Sequence, residues 1–104
     1  MVKHVTSAEL EQLKKNGTPV VCDFWASWCG PCRMLAPVFE QVSEKYEGKV
    51  QFVKVDVDEE TESALRYGVS SIPCLLFFKD GEVKGRHVGF VPADALDTFV
   101  KNNL

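Results

Sequence analysis

From Val20 to Ala26 the chain reads Val-Val-Cys-Asp-Phe-Trp-Ala, an almost unbroken apolar and aromatic run interrupted by Asp23. A strand with one face in water alternates apolar and polar residues. A run without that alternation needs cover on both faces, as in a sheet flanked by helices. Helical spacing follows directly: Met34, Leu35, Val38, Val42 and Tyr46 recur at three and four between Pro31 and Tyr46, and Gly48 ends the stretch. Val50, Phe52, Val53, Val55 and Val57 then supply a second β-branched strand. Strand, helix and strand in this order make a βαβ unit, whose strands pair in parallel through a right-handed crossover. Ligand chemistry in open α/β sheets collects at the carboxyl ends of such strands.

The flanking segments complete an α/β domain. Thr6 and Glu9 fit a capping box, Ala8, Leu10 and Leu13 give the helix an apolar side, and Asn16-Gly17 stops it. Asp58 is placed to cap a helix running toward Tyr67-Gly68. Pro73 opens a strand, one of the few places where a sheet tolerates proline. Cys74 to Phe78 and Val83 to Val88 flank Lys79-Asp80-Gly81-Glu82, where Asp-Gly signals a tight hairpin, so the second half is antiparallel. Pro92 suits the first turn of a last helix, with Asp94 near its N-terminus and Leu96, Phe99 and Val100 facing inward. The 104 residues suffice for one domain with its own core, spanning 1–104, and no linker or repeat divides them.

Charge and composition exclude several functions. The net charge is −3 and Lys14-Lys15 is the lone basic doublet, so the electrostatic footprint of a nucleic-acid binder is missing. No window approaches the roughly 18 consecutive apolar residues of a membrane helix, and the N-terminus lacks the apolar core of a signal peptide. A cytoplasmic monomer is expected. In that compartment four cysteines, in a chain with enough Leu, Ile, Val and Phe to fold without crosslinks, point to redox chemistry or metal binding.

Cys29 and Cys32 lie two residues apart in Trp28-Cys29-Gly30-Pro31-Cys32, at the start of the long helix. That spacing brings two thiols within disulfide reach, and the unpaired N–H groups of a helix start favour a thiolate over a thiol. Dithiol exchange needs one sulfur to attack a substrate disulfide and a second to resolve the mixed disulfide. Cys29, nearest the helix end, is the candidate attacker and Cys32, inside the first turn, the candidate resolver. Asp23, an acid in apolar surroundings with a raised pKa, is the candidate base for Cys32, and Lys54 in the adjoining strand is its candidate partner. Gly30 and Pro31 add no positive charge between the sulfurs, which leans the pair toward reduction. A measured potential well above that of glutathione would select an oxidase or isomerase instead. Pro37 cannot donate to the Arg33 carbonyl, so a kink is expected there.

Two other classes compete. Cys29 and Cys32 make half of a tetrahedral zinc site, with Cys74 or a histidine to complete it, but the chain has no second CxxC or HxxxH. His4 and His87 read as surface strand residues. The apolar surroundings of the motif also suit a non-catalytic docking module.

With Asp23-Phe24-Trp25-Ala26, Trp28-Cys29-Gly30-Pro31-Cys32, Ala36-Pro37, Tyr67-Gly68-Val69, Ile72-Pro73, Lys79-Asp80-Gly81 and Val88-Gly89 in this order, the chain resembles the thioredoxin family from end to end. The resemblance implies a mixed sheet flanked by helices, Cys29 as nucleophile, Cys32 as resolving thiol, Asp23 as the acid that deprotonates it, and Lys54 as that acid's partner. An X-Pro bond is seldom cis, and the residues alone leave Ile72-Pro73 open; the resemblance implies that it is cis and packs beside the disulfide. It further implies an apolar rim of Trp28, Gly30, Pro31, Ile72, Pro73, Val88 and Gly89 that docks extended protein segments. By the same resemblance the chain is a general protein disulfide reductase with no bound cofactor, recharged by an NADPH-dependent flavoprotein reductase. Three features depart from the family pattern. Cys74 follows the proline where Thr is common, which brings a third thiol toward the pair unless it is a buried hydrophobe. Cys22 should face the sheet side opposite Asp23. Phe90 and Val91 stand where smaller or polar residues are usual, which bears on partner preference.

Overall fold

In the computed structural model, which describes residues 1–104, the apolar run from Val20 becomes the middle strand of a five-stranded sheet. The elements in chain order are β1 (Val2–His4), α1 (Ser7–Lys14), β2 (Val20–Trp25), α2 (Gly30–Lys45), β3 (Gln51–Asp56), α3 (Thr61–Arg66), β4 (Cys74–Lys79), β5 (Glu82–Val88) and α4 (Ala93–Asn103). The sheet order is β1-β3-β2-β4-β5. β3 runs parallel to β1 and β2, whereas β4 is antiparallel to β2 and β5, so the sheet is mixed in the expected halves. Asp80 and Gly81 both adopt positive φ, 55° and 78°, as a two-residue turn matched to strand twist requires.

Every residue of β2 but Trp25 is buried, because its two faces lie in different cores. On one side Val21 joins Leu35, Phe39, Val42, Leu96 and Val100 from α2 and α4. On the other, Val20, Cys22 and Phe24 join Leu10 of α1 with Val53, Val55, Leu76 and Phe78. Alternation along the strand therefore puts Asp23 on the α2 side and Cys22 opposite.

The structure corrects the sequence reading at several places. The inward stripe of α2 is Leu35, Phe39, Val42 and Tyr46, while Met34 is exposed; the run of apolar residues offered two registers, and Phe39 belongs to the one that meets the sheet. Ala8 likewise faces solvent, and Leu10 with half-buried Leu13 carries the inner side of α1. Asp58 does not cap α3: the N-cap is Glu60, with no side-chain cap bond, because Asp56 and Asp58 form a turn in which Asp56 Oδ1 accepts the Asp58 N–H at 2.9 Å. Pro92 is the N-cap of α4, one position before its first turn, with extended ψ of 167°. α2 runs from Gly30 to Lys45 with Pro37 inside it, so the proline does not end the helix. The capping box of Thr6 and Glu9 is present in both directions. β1 was no part of the sequence reading beyond His4 as a surface strand residue; three residues are too few for a period.

Candidate active site

β2 ends at Trp25, and the chain turns through Ala26 to Trp28 before α2 begins, which delivers Cys29 and Cys32 to the carboxyl end of the middle strand. Cys29 is the N-cap of α2, with φ −90° and ψ 113°, and its sulfur accepts the Cys32 N–H at 3.2 Å. Pro31 costs no bond there, since N–H groups of a first turn lack intrahelical partners anyway. The first turn carries no acidic residue to oppose a thiolate. The two cysteines form a disulfide with Cα atoms 5.2 Å apart. Cys29 keeps 5% of its surface exposed and Cys32 1%.

Around the sulfurs the strand loops converge. Cys29 Sγ lies 3.8 Å from the carbonyl oxygen of Ile72, and the Ile72-Pro73 bond is cis. Pro73 is buried and its carbonyl accepts the Gly89 N–H at 2.8 Å, which fixes the loop after β5 against the one before β4. Gly89 takes φ of 101°, a conformation that disfavours any residue with a Cβ. Trp28, Val88 and Phe90 are exposed there, with Ile72, Gly30 and Gly89 half-buried and Pro31 exposed. Trp28 is held by a bond from its Nε1 to Asp58 Oδ2 at 2.9 Å. Asp58 is thus a site residue that sequence reasoning mistook for a helix cap, and no local pattern distinguishes the two roles.

Asp23 is fully buried, neither carboxylate oxygen has a hydrogen-bond partner in the chain, and its pKa is pushed up to about 7. Burial is the main cause, with the positive charge of Lys54 acting against it. Lys54 is the register partner of Asp23 across β2 and β3, but the two form no ion pair. Its ammonium instead sits 4.6 Å from the centroid of the Trp25 ring.

The remaining cysteines are apart from this site. Cys22 and Cys74 are fully buried in the core opposite α2, and burial raises both thiol pKa values. Arg86 reaches Cys74 Sγ at 3.6 Å and also donates to the Tyr67 carbonyl. Cys74 therefore behaves as a core residue, and Cys29 and Cys32 cluster instead with Ala26, Trp25, Val57 and Ile72. No group of three or more His, Cys, Asp or Glu side chains converges to hold a metal ion, and no helix is long and apolar enough to cross a membrane.

The comparisons with known proteins agree with this geometry. The sequence profile of the family described as Thioredoxin matches residues 1–102. Thioredoxin of Bacillus subtilis is 53% identical over 85 residues, covering 82% of each chain. Thioredoxin of Pseudomonas aeruginosa is 43% identical over 105 residues, 99% of this chain and 96% of that one. Among solved structures, the thioredoxin of Malassezia sympodialis (Mala s 13) superposes with a TM-score of 0.89 at 36% identity, covering 99% of this chain and 94% of that chain. With a bonded Cys29–Cys32 pair at the head of α2, a mixed five-stranded sheet and a family match over nearly its whole length, the chain belongs to the thioredoxin family.

Proposed function

We propose that Cys29 attacks and Cys32 resolves in a general protein disulfide reductase whose substrates dock, in extended form, on the apolar surface around Ile72 and Pro73. The activity itself, thiol-disulfide exchange on disulfide-containing proteins, follows from the family and from the bonded pair at the head of α2. In the reduced state the Cys29 thiolate attacks one sulfur of a substrate disulfide; a mixed disulfide forms and the other substrate sulfur leaves as a thiolate that takes a proton. Cys32, giving its proton to Asp23, then attacks the Cys29 sulfur, forming the intramolecular disulfide and releasing the second substrate thiol. Two electrons pass to the substrate and the chain ends oxidised.

The observation that carries this division of labour is the Cys29 sulfur at the N-cap, taking the Cys32 N–H, with the Cys32 side chain turned inward at 1% exposure. A thiolate at that position gains most from the helix start. Asp23 suits the second step because a pKa of about 7 lets it accept and return a proton near neutrality. Gly30 and Pro31 tune the potential toward reduction by adding no charge. The exposed Val88 and Trp28 with half-buried Ile72 and Gly89 suit a substrate segment pairing as an added strand on the Ile72 backbone.

The finer parts of the reading are recharging by an NADPH-dependent thioredoxin reductase, with no cofactor bound by the chain itself, and work as a cytoplasmic monomer. Turnover of NADPH with a purified thioredoxin reductase and insulin as substrate tests the cycle. Loss of turnover on replacing either cysteine is expected, and full activity in both single variants would overturn the reading.

A further inference from the structure

Lys54 is a largely buried residue, 9% exposed, whose ammonium forms no ion pair and opens onto a cavity. The group in contact is the indole of Trp25, with Nζ 4.6 Å from the ring centroid, a geometry in which the ring's negative face attracts the charge. Trp25 lies two residues after Asp23 on the same side of β2, and Asp23 and Lys54 are register partners. The indole also packs against the cluster of Ala26, Cys29 and Cys32.

We propose that Trp25 is a positioning residue for the exchange reaction: its ring holds the Lys54 ammonium beside Asp23 without pairing the two, so that the acid has a cation near it yet stays free to exchange a proton. The inference rests on the reading of Asp23 as the base for Cys32. An ion pair would fix Asp23 as a carboxylate; removal of the cation would leave a buried acid that ionises only with difficulty. The ring sets the state between these.

The surrounding charges give the direction of change when the ring is lost. Lys54 and Trp25 line a cavity with His4 of β1, Glu9 of α1, Asp56 of β3, and Glu59 and Glu60 of the turn before α3. His4 meets the Trp25 ring edge-to-face at 5.7 Å. Asp23 itself has Lys54 on the β3 side and uncharged Leu75 on the β4 side, α2 brings the bonded Cys29 and Cys32, and Cys22 and Cys74 lie through the sheet. Without the indole, the long Lys54 stem lets the ammonium swing out to water and to the acidic lip of that cavity. Asp23 then loses the cation that opposes its burial.

Carboxyl carbon NMR of Asp23, titrated in the oxidised protein, tests this without turnover. Trp25→Leu and Lys54→Met should each raise the Asp23 midpoint by about one pH unit, the double variant should add nothing further, and Trp25→Phe should shift it less than Trp25→Leu. An unchanged midpoint in Trp25→Leu, or an equal shift with Lys54 already replaced, would overturn the proposal. Should Trp25→Leu fail to fold, the unaltered protein still decides: the Lys54 ε-methylene protons should resonate upfield from ring current, and an ordinary lysine position sinks the inference. Failure of the base role alone would look different, with the midpoint moving as described while the rate of mixed-disulfide resolution does not follow it.

Discussion

Cys29 and Cys32 are chemically alike and differ by where a single helix begins. The N-cap sulfur takes an N–H and keeps some surface, while the sulfur three residues on is turned under the helix. Cys32→Ser should therefore accumulate mixed disulfides between Cys29 and client proteins, seen as thiol-sensitive adducts on non-reducing gels, and Cys29→Ser should accumulate none. Asp23 carries a pH signature as well. Its pKa is raised to about 7 in the folded chain against an ordinary 3.8, so between those values the native state binds more protons than the unfolded one. Stability contributed by this site falls as pH rises through that window, and the full cost stands above about pH 7. Asp23→Asn should flatten the profile, gaining about 2–4 kcal/mol on the parent in going from pH 4 to pH 8, measured by urea unfolding of the oxidised forms. The Cys29–Cys32 pair and the burial of Asp23 were legible because an acid in an apolar run and a CxxC after it are local patterns. The ring under Lys54 was not, since cation and indole come from different strands.

At the level of elements, what the sequence conveyed depended on whether the signal was local. The capping box of α1 and the Asp80-Gly81 turn are decided by adjacent residues, and both stand as read. The stripe of α2 is decided by what it packs against, so Met34 and Phe39 exchanged places between reading and structure. Asp58 shows the same limit: an acid before a helix pattern reads as a cap until a distant Trp28 claims it. Removing that tie is a test of how the element positions the site. Asp58→Ala should free the indole while costing no more than about 1.5 kcal/mol, as an exposed hydrogen bond does. Trp28 fluorescence polarisation should fall, and insulin reduction should slow modestly with the docking term KM rising more than kcat falls.

For the molecule as a whole, the α/β architecture was readable because a doubly covered strand, a helix and a second β-branched strand admit few topologies. β1 was not, because three residues carry no period and earn their place by pairing with β3. The two cores on either face of the sheet hold the site from below, and Phe39 is central to the one beneath α2, its ring tilted against that of Phe52 with centroids 5.0 Å apart. Phe39→Ala should lower unfolding free energy by about 3–5 kcal/mol in denaturant titrations of either redox state, since it empties a close-packed centre. The site chemistry should survive wherever the variant is folded.

Along the outer border of the sheet, β5 sets Glu82 and Lys84 in solvent, and its pairing with β4 slips between Phe77 and Phe78. An unpaired sheet edge is a ready template for strand pairing between copies of a chain. Bristling with ionic side chains and bent out of true, this margin makes a poor template for a sibling molecule. Crowded solutions of it should consequently stay clear where a smoother-edged relative would begin to stack.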